Sequence, residues 1–507
     1  MHTEQDPYDS VTYPSFSFID THPDRLASMA ILHGLSPAPV ERCRVLEIAC
    51  NEGANLIPMA YAIPTSEFVG FDLARLPIER GQERIRELGL RNVRLFESNL
   101  LDAGTELGQF DYIIAHGLYA WVPEPVRDRL LALCGELLTP DGVAFVSYNA
   151  KPGGFVRSMI REMMLYRAQG IEDPLQRVST GLELLRFLIK ARPEGDAYRL
   201  MMEEQLKKME KVGPQVTYHD EMTDAYHPVH FFEFVEHARK HGLQYLSEPE
   251  LPPPTDPCYR ADLRSALESA AGDDMVRQEQ ILDFVRGRVY RETLLCRAER
   301  VVRRDFPAEP LRRLLLASQV TSAPGETPDA RVFRLPGGIK MESNHAGAIA
   351  LLEALAAAWP RAVSFEEIEP RLAEAGFVLD GEGTALLMRL VVAKLIELHA
   401  WRAPVAGAVS ARPRASASSR QEARSKALAT TLLHARFGLD DPVQRSILML
   451  LDGTRDRPAL LEAMKAEFPA IAEQELEART ESGLRNFYRA GLLEASGLLE
   501  ASGLLEA

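Results

Sequence analysis

Between residues 44 and 148 short apolar runs alternate with stretches whose apolar positions recur at helical spacing. Residues 44–49, 67–72, 93–96, 110–115 and 143–147 read as five strands. Residues 76–88 and 126–138 read as helices, and 139–142, Thr-Pro-Asp-Gly, as a turn. Strands separated by helices need crossover connections, which predicts a parallel sheet with helices on both faces. Ahead of it, Thr21-His22-Pro23-Asp24 predicts a helix start, with Thr21 as cap and Pro23 in the first turn. Residues 8–13 are too polar and irregular for a strand.

Beyond Phe155 the strand pattern fades. Residues 155–211 read as mostly helical, and 216–299 as polar aromatic helices broken by the Pro-rich stretch 251–254. Residues 321–329 look like a loop. Residues 331–402 then give a strand, three helices and a terminal strand, the outline of a winged helix, and 440–495 give three more helices. The Ala-, Ser- and Arg-rich stretch between them reads as a linker. Leu-Leu-Glu-Ala-Ser-Gly starts at Leu492 and again at Leu498, too short a repeat to build a solenoid, and reads as a duplication on a tail.

A chain of 507 residues predicts three or four domains. With 46% hydrophobic and 26% charged residues it is not a disordered chain. The formal net charge of −15 argues against general binding of nucleic acid or anionic lipid. The basic run Arg412, Arg414, Arg420, Arg424 and Lys426 therefore reads first as a solvated linker and second as a DNA contact. Five scattered cysteines with no C-x-x-C pair indicate neither a zinc ribbon nor a disulfide framework, and reduced thiols fit a cytoplasmic location. The N-terminus has no secretory pattern, and no apolar run of 18 residues offers a membrane span, so no membrane insertion is expected. His227 and His230, like His237 and His241, have spacings that could share a helix face, but no H-E-x-x-H or cysteine cluster accompanies them. Helix packing is the expected role, and no metal is expected.

The chemistry concentrates where the first strand meets the first helix, in Glu47-Ile-Ala49-Cys50-Asn51-Glu52-Gly53-Ala54-Asn55. Small residues there let the backbone turn and approach a ligand, and the helix start offers free N–H groups. Asp72, at the end of the second strand, suits a ribose diol. The dinucleotide pattern G-x-G-x-x-G fails, because its places hold Ala49, Asn51 and Ala54, and no G-K-[ST] phosphate loop occurs.

The segment instead resembles the E-x-G-x-G-x-G motif of class I S-adenosylmethionine-dependent methyltransferases, read here as Glu47, Ala49, Asn51 and Gly53, with two glycines replaced. Gly70-Phe-Asp72-Leu73, Ser98-Asn99-Leu100 and residues 110–114 follow at the expected intervals. The resemblance implies S-adenosyl-L-methionine as cofactor, held by Glu47, Ala49, Cys50, Gly53, Asn55, Asp72, Leu73, Asn99, Leu100 and His116. Further stretches narrow it: residues 8–13 and 21–27, His116-Gly-Leu-Tyr119-Ala-Trp121-Val-Pro123, Ser147-Tyr-Asn149 through Gly154, the run from Asp224 to Phe234, Glu279 to Phe284, Arg291 to Cys296 and residues 451–457. Together these resemble bacterial protein-lysine methyltransferases of the type that modifies rickettsial outer-membrane proteins.

The architecture so implied is α/β: a Rossmann-like class I methyltransferase domain, then a mainly helical regulatory domain and winged-helix-like C-terminal domains. The expected boundaries are an N-terminal lid segment at 1–40, a methyltransferase domain at 41–170, a helical connector at 171–215 and a regulatory domain at 216–305. A winged-helix-like middle domain follows at 306–402, a linker at 403–428 and a C-terminal winged-helix-like domain at 429–507. Tyr119 and Trp121 are candidates to line an aromatic acceptor channel, and His116 and Asn149 are candidate polar groups at the methyl acceptor. The implied partner is a protein substrate, an outer-membrane or surface protein met before export; a homodimer is a further expectation and nucleic acid is not expected. Two alternatives stay open at this point: a small-molecule acceptor, and a cofactor-binding regulatory or scaffold protein with weak catalysis.

Overall fold

A computed structural model of the chain describes residues 11, 13–223, 225–253 and 255–495. Strands β1 (Arg44–Ile48), β2 (Glu67–Asp72), β3 (Val93–Glu97), β4 (Phe110–Ala115) and β5 (Leu138–Asn149) are parallel. Two more, β6 (Leu243–Ser247) and β7 (Tyr290–Arg297), add antiparallel at the β5 edge, giving the order β3-β2-β1-β4-β5-β7-β6. Side chains alternate between two cores. Val45, Phe68, Tyr112 and Phe145 enter one, with Leu26 and Leu32 of α1 (Pro23–Leu32), Leu56 and Ile57 of α2 (Leu56–Ala62) and Ile78 of α3 (Arg75–Leu88). Leu46, Val69, Ile113 and Ala144 enter the other, with Leu130 and Leu133 of α4 (Glu124–Leu137). A parallel sheet needs both faces covered, which is why these strands read as near-continuous apolar runs.

The helices α5 (Gly154–Arg167), α6 (Pro174–Lys190), α7 (Ala197–Val212) and α8 (Pro214–Glu221) form a lobe with its own core of Ile160, Met164, Leu185 and Met202. Then α9 (Phe231–Lys240) returns to the sheet through Phe234 and Val235. After β6, α10 (Ala261–Ala271) and α11 (Met275–Arg286) lead into β7. The division of 41–170 from 216–305 thus cuts through one sheet, whose last two strands come from the later segment. Its anchor is Arg291 on β7, fully buried and held at 2.8 Å by each of Asp283, Glu279 and Glu248, with its guanidinium 3.9 Å from the Phe231 ring centroid.

The middle region holds α12 (Ala308–Arg312), β8 (Leu315–Ala317), β9 (Thr321–Pro324), β10 (Arg331–Arg334) and β11 (Lys340–Ser343). It continues with α13 (Ala346–Ala358), β12 (Val363–Ser364), α14 (Phe365–Glu374), α15 (Gly381–Val392) and β13 (Glu397–His399). Three helices and the terminal strand β13 lie as expected, but the strand at 331 is β10 in the separate sheet β11-β10-β9, and the sheet β12-β8-β13 takes its central strand from ahead of residue 331; Leu316, Leu351 and Leu398 join the same core as α1. The C-terminal part holds α16 (Ala417–Ser425), β14 (Leu428–Thr430), β15 (Arg436–Gly438), α17 (Pro442–Leu450), α18 (Arg457–Glu467) and α19 (Glu473–Arg489).

Several local expectations are corrected. Residues 139–142 do not turn but extend β5, and the irregularity is taken up by a register shift against Phe110 and Tyr112. Residues 321–324 are β9, paired with β10. The stretch 403–428 is not a solvated linker: Ala415, Ser416, Ser418, Ser419 and Ala423 are buried, because small side chains let α16 pack closely against α2 and α17. The first helix is capped by His22, whose Nδ1 accepts from the Asp24 N–H at 3.2 Å, with Pro23 in the first position. His230 sits at the N-cap of α9, so His227 and His230 do not share a helix face. In the first copy of the terminal repeat, Leu492 and Leu493 lie in a core and Glu494 accepts from the Tyr61 hydroxyl; Ser496 and Gly497 lie outside the described residues. The second copy, residues 8–10 and 12, and Asp224 lie outside the described residues.

Candidate functional site

Because β1 to β5 run parallel, their C-terminal ends fall on one edge of the sheet. That edge carries Glu47 from β1, Asp72 and Leu73 from β2, Asn99 and Leu100 after β3, His116 after β4 and Asn149 at the end of β5. The connection direction reverses beside β1, where such sheets open a crevice.

The β1–α2 loop keeps the shape its motif requires. Ala49, Asn51 and Gly53 have φ of 59°, 49° and 69°, so all three motif positions are left-handed although only one is glycine. Asn51 N–H donates to Asp72 Oδ2 at 2.8 Å and Cys50 N–H to the Phe71 carbonyl at 3.1 Å. The second Asp72 oxygen accepts from Ala74 N–H at 2.9 Å. Cys50 is buried, which pushes its thiol far above the ordinary range, and its Sγ would lie 2.8 Å from a Cβ added at Gly70. Glycine in β2 is thus what lets the loop lie against the sheet.

Glu47 is buried, and its Oε1 accepts from Asn55 Nδ2 at 2.8 Å. Its Oε2 has no hydrogen-bond partner. Burial pushes this carboxyl up to about 8; the Asn55 hydrogen bond opposes the shift and the Asp72 charge adds to it. A buried, unpaired carboxyl oxygen at this edge fits an ammonium group. Next to Asp72, Leu73 is 59% exposed and Leu101, after β3, 49%, two apolar side chains suited to a flat heteroaromatic ring. Asn99 is exposed and its Oδ1 accepts from Leu101 N–H, whereas Leu100 is buried. These residues fit the methionine and adenosine ends of S-adenosylmethionine.

Between the end of β5 and the start of β7 lies a cavity of about 240 Å³, bordered by Asn149, Tyr226, Tyr290, Asp220, Glu221 and Arg157. Asn149 is buried and its Oδ1 has no hydrogen-bond partner. His116 lies beside this region, stacked on Phe18 with centroids 3.7 Å apart, its Nε2 3.3 Å from the Tyr290 hydroxyl. Desolvation lowers its pKa to about 4, so it is a neutral imidazole at neutral pH. Tyr290 O–H in turn donates to Ser147 Oγ at 2.7 Å.

The two aromatic candidates part company. Trp121 packs on Tyr226 with centroids 5.0 Å apart, and Arg157 and Arg161 lie over its ring at 5.0 and 5.4 Å. Arg157 pairs with Glu221 at 2.7 Å. Tyr119 is buried against Phe234 of α9, and its hydroxyl meets His237 Nδ1 at 2.8 Å. It therefore belongs to the sheet–α9 packing, and burial pushes its phenol up to about 12. His237 and His241 both reach Asp128 Oδ1, at 3.0 and 2.8 Å. Among the described residues this trio could accept a metal ion, its ligand atoms lying within 4.8 Å of one another.

Sequence reasoning missed Phe18, Tyr290 and His434, and it named Thr21 only as a helix cap, whereas Thr21 Oγ1 accepts from Asn55 Nδ2 at 2.9 Å. Tyr290 could have been found as the residue before Arg291 on the strand that extends the sheet. The N-terminal segment lies over the site: Phe18 N–H and His434 Nε2–H both donate to Asn55 Oδ1 at 2.9 Å, and Val11 accepts from His219 Nε2 at 2.7 Å.

Comparison with known proteins gives three family matches: a methyltransferase domain at residues 46–144, a predicted methyltransferase regulatory domain at 214–297, and the PKMT C-terminal winged helix domain at 411–486. The uncharacterized protein RP789 of Rickettsia prowazekii is 32% identical over 313 residues, covering 61% of this chain and 56% of that protein. The uncharacterized protein RP028 of the same organism is 33% identical over 245 residues, 48% of this chain and 98% of that protein. The chain therefore spans little more than half of the first relative and nearly all of the second. Among solved structures, PKMT2 from Rickettsia typhi in complex with AdoHcy superposes with a TM-score of 0.84 at 24% identity, covering 95% of this chain and 99% of that one. That likeness shows the fold.

Proposed function

The chain, which joins a methyltransferase domain, a regulatory domain and a PKMT-type winged helix, belongs to the methyltransferase family of its rickettsial relatives, and on that premise we propose that it transfers a methyl group from S-adenosylmethionine to the side-chain amine of lysine in a protein. When bound, the cofactor supplies a methyl group already activated by its sulfonium charge. The chain's own residues have the remaining work of holding, orienting and drying the reactants, and orientation alone is worth about 7–11 kcal/mol of barrier. Glu47 and the β1–α2 loop would hold the amino acid end, Asp72 the ribose, and Leu73 the adenine.

The observation that carries the reading is Asn149 Oδ1, buried and without a hydrogen-bond partner beside the 240 Å³ cavity. An amide oxygen accepts one N–H of a neutral amine and so aims its lone pair. Tyr226 and Tyr290 make the cavity wall partly aromatic, and desolvation there favours the unprotonated amine. His116, neutral and stacked on Phe18, would shape this passage. Trp121 would stiffen the Tyr226 wall; Tyr119 is assigned no contact with the acceptor. In this reading the substrate is a protein of the outer-membrane class met before export, in the cytoplasm. No helix among the described residues is long and apolar enough to cross a membrane.

The test combines S-adenosylhomocysteine calorimetry with transfer of a labelled methyl group to a protein mixture, native or lysine-acetylated. The expected result is transfer that acetylation abolishes. Asn149→Ala should keep ligand affinity and lose turnover by roughly 100-fold, the scale of one oriented hydrogen bond at a reacting centre. Full turnover in Asn149→Ala, or transfer indifferent to acetylation, refutes the assignment.

A further inference from the structure

At the cofactor edge Asn55 is tethered through both of its amide atoms. Its Oδ1 accepts from Phe18 N–H and faces His434 Nε2, both at 2.9 Å; its Nδ2 donates to Thr21 Oγ1 at 2.9 Å and to Glu47 Oε1 at 2.8 Å. These partners fix the roles. Phe18 N–H can only donate, so the atom it meets is the amide oxygen. Thr21 gives its own proton to the Phe18 carbonyl at 2.7 Å and is left to accept from Nδ2. His434 must then carry its proton on Nε2. It is completely enclosed and held neutral by that burial, so it has one N–H to give. His434 sits in the turn between β14 and β15, where its backbone N–H donates to the Thr431 carbonyl at 2.9 Å. A second tether lies one residue group away: Lys426 Nζ meets Glu52 Oε1 at 2.9 Å, so the C-terminal domain grips the β1–α2 loop twice.

We infer that His434 is a positioning residue of the methyltransferase site: its Nε2–H holds the Asn55–Glu47 pair in the orientation that receives the cofactor, so that cofactor affinity and docking of the C-terminal winged helix are coupled. The inference rests on the cofactor reading proposed above. The chain of contacts does not end in packing. It ends at Glu47, whose second oxygen is buried at the cofactor edge without a hydrogen-bond partner. Without the imidazole donor, Asn55 Oδ1 keeps Phe18 N–H and the Thr21 hydroxyl at 3.2 Å but loses its one contact from the winged-helix side, so the pair is held less firmly. Coupling of this kind is reciprocal: what docking does for the ligand, the ligand must do for docking.

S-adenosylhomocysteine is titrated into wild type, His434→Gln and His434→Leu, and amide hydrogen exchange is followed in the hairpin 428–438 with and without saturating ligand. Glutamine keeps an N–H donor and should bind within about threefold of wild type; leucine should bind roughly 10-fold more weakly, the scale of one lost buried hydrogen bond. In wild type the ligand should slow hairpin exchange, and in His434→Leu that response should disappear. A purely structural role would lower the melting temperature of His434→Leu yet leave the affinity of the folded protein unchanged, which overturns the inference. If His434→Leu does not fold, unchanged hairpin exchange in liganded wild type overturns it equally. Absence of ligand binding to wild type is a separate outcome, and it overturns the cofactor reading on which this one stands.

Discussion

Glu47 makes cofactor binding pH-dependent in a direction that can be worked out. Its carboxyl is pushed up to about 8 from 4.5, by burial first and by Asp72 second. Keeping it neutral over that span corresponds to about 5 kcal/mol of disfavoured ionisation. A ligand ammonium needs the ionised form, so binding below pH 8 must expel a proton. Affinity for S-adenosylhomocysteine should therefore rise about tenfold per pH unit, and be roughly 100-fold weaker at pH 6 than near pH 8. At still higher pH the ligand amine loses its own charge and affinity falls again. The sign for the unliganded protein is opposite to that of an ion-paired carboxylate. With the folded pKa raised, the contribution of Glu47 to stability is fully present below 4.5 and is lost as pH rises toward 8. Calorimetric titration from pH 6 to 9, in two buffers of different ionisation heat, measures both affinity and the released proton. The slope below pH 8 should vanish in Glu47→Gln. A wild-type affinity that is flat from pH 6 to 7.5, or a slope that survives in Glu47→Gln, refutes the reasoning.

Two further outcomes follow from buried charges elsewhere. Arg291→Leu leaves Glu248, Glu279 and Asp283 without their shared partner and should destabilise the sheet by about 3–5 kcal/mol in urea unfolding; a loss below about 1 kcal/mol would show the cluster to be dispensable. His399 is held up to about 9: burial opposes its charge, but Asp24 at 2.6 Å and Glu397 outweigh it. Its contribution is fully present below pH 6.5 and is lost as pH rises through about 9. The stability gap between wild type and His399→Gln should accordingly be up to about 3 kcal/mol at pH 6 and close toward pH 10, and a gap that widens with pH contradicts the pairing.

The strands β1 to β5 were legible because their apolar runs are local. The strands β6 and β7 were not, because the helical lobe separates them from β5 and their partners are fixed only by tertiary pairing. Composition misled at 403–428, where alanine and serine look like a solvated linker but are also what a close helix contact requires. Glu47, Asp72 and Asn149 could be placed because strand ends share an edge in a parallel sheet. Tyr119 and Trp121 could not be told apart, since they sit in one 3-10 turn and residues along such a turn point in different directions. His434 gave no signal: its partner Asn55 is 379 positions away.

The replaced glycines then take on a different meaning. At Ala49 and Asn51 the motif's glycine would supply conformation, not chemistry, and the left-handed conformation is kept at both. Asparagine tolerates that region, and here Asn51 Oδ1 also accepts from Glu52 N–H at 2.7 Å. Alanine has no such compensation and costs about 1–2 kcal/mol. The loop can carry that strain because other groups hold it: Phe71 and Asp72 through the backbone of Cys50 and Asn51, and the C-terminal domain through Lys426 on Glu52 and His434 on Asn55. Three glycines would adopt these angles without strain, though with more freedom to leave them. A strained loop held in this way would relax if the winged-helix contacts were lost, which is the coupling inferred for His434.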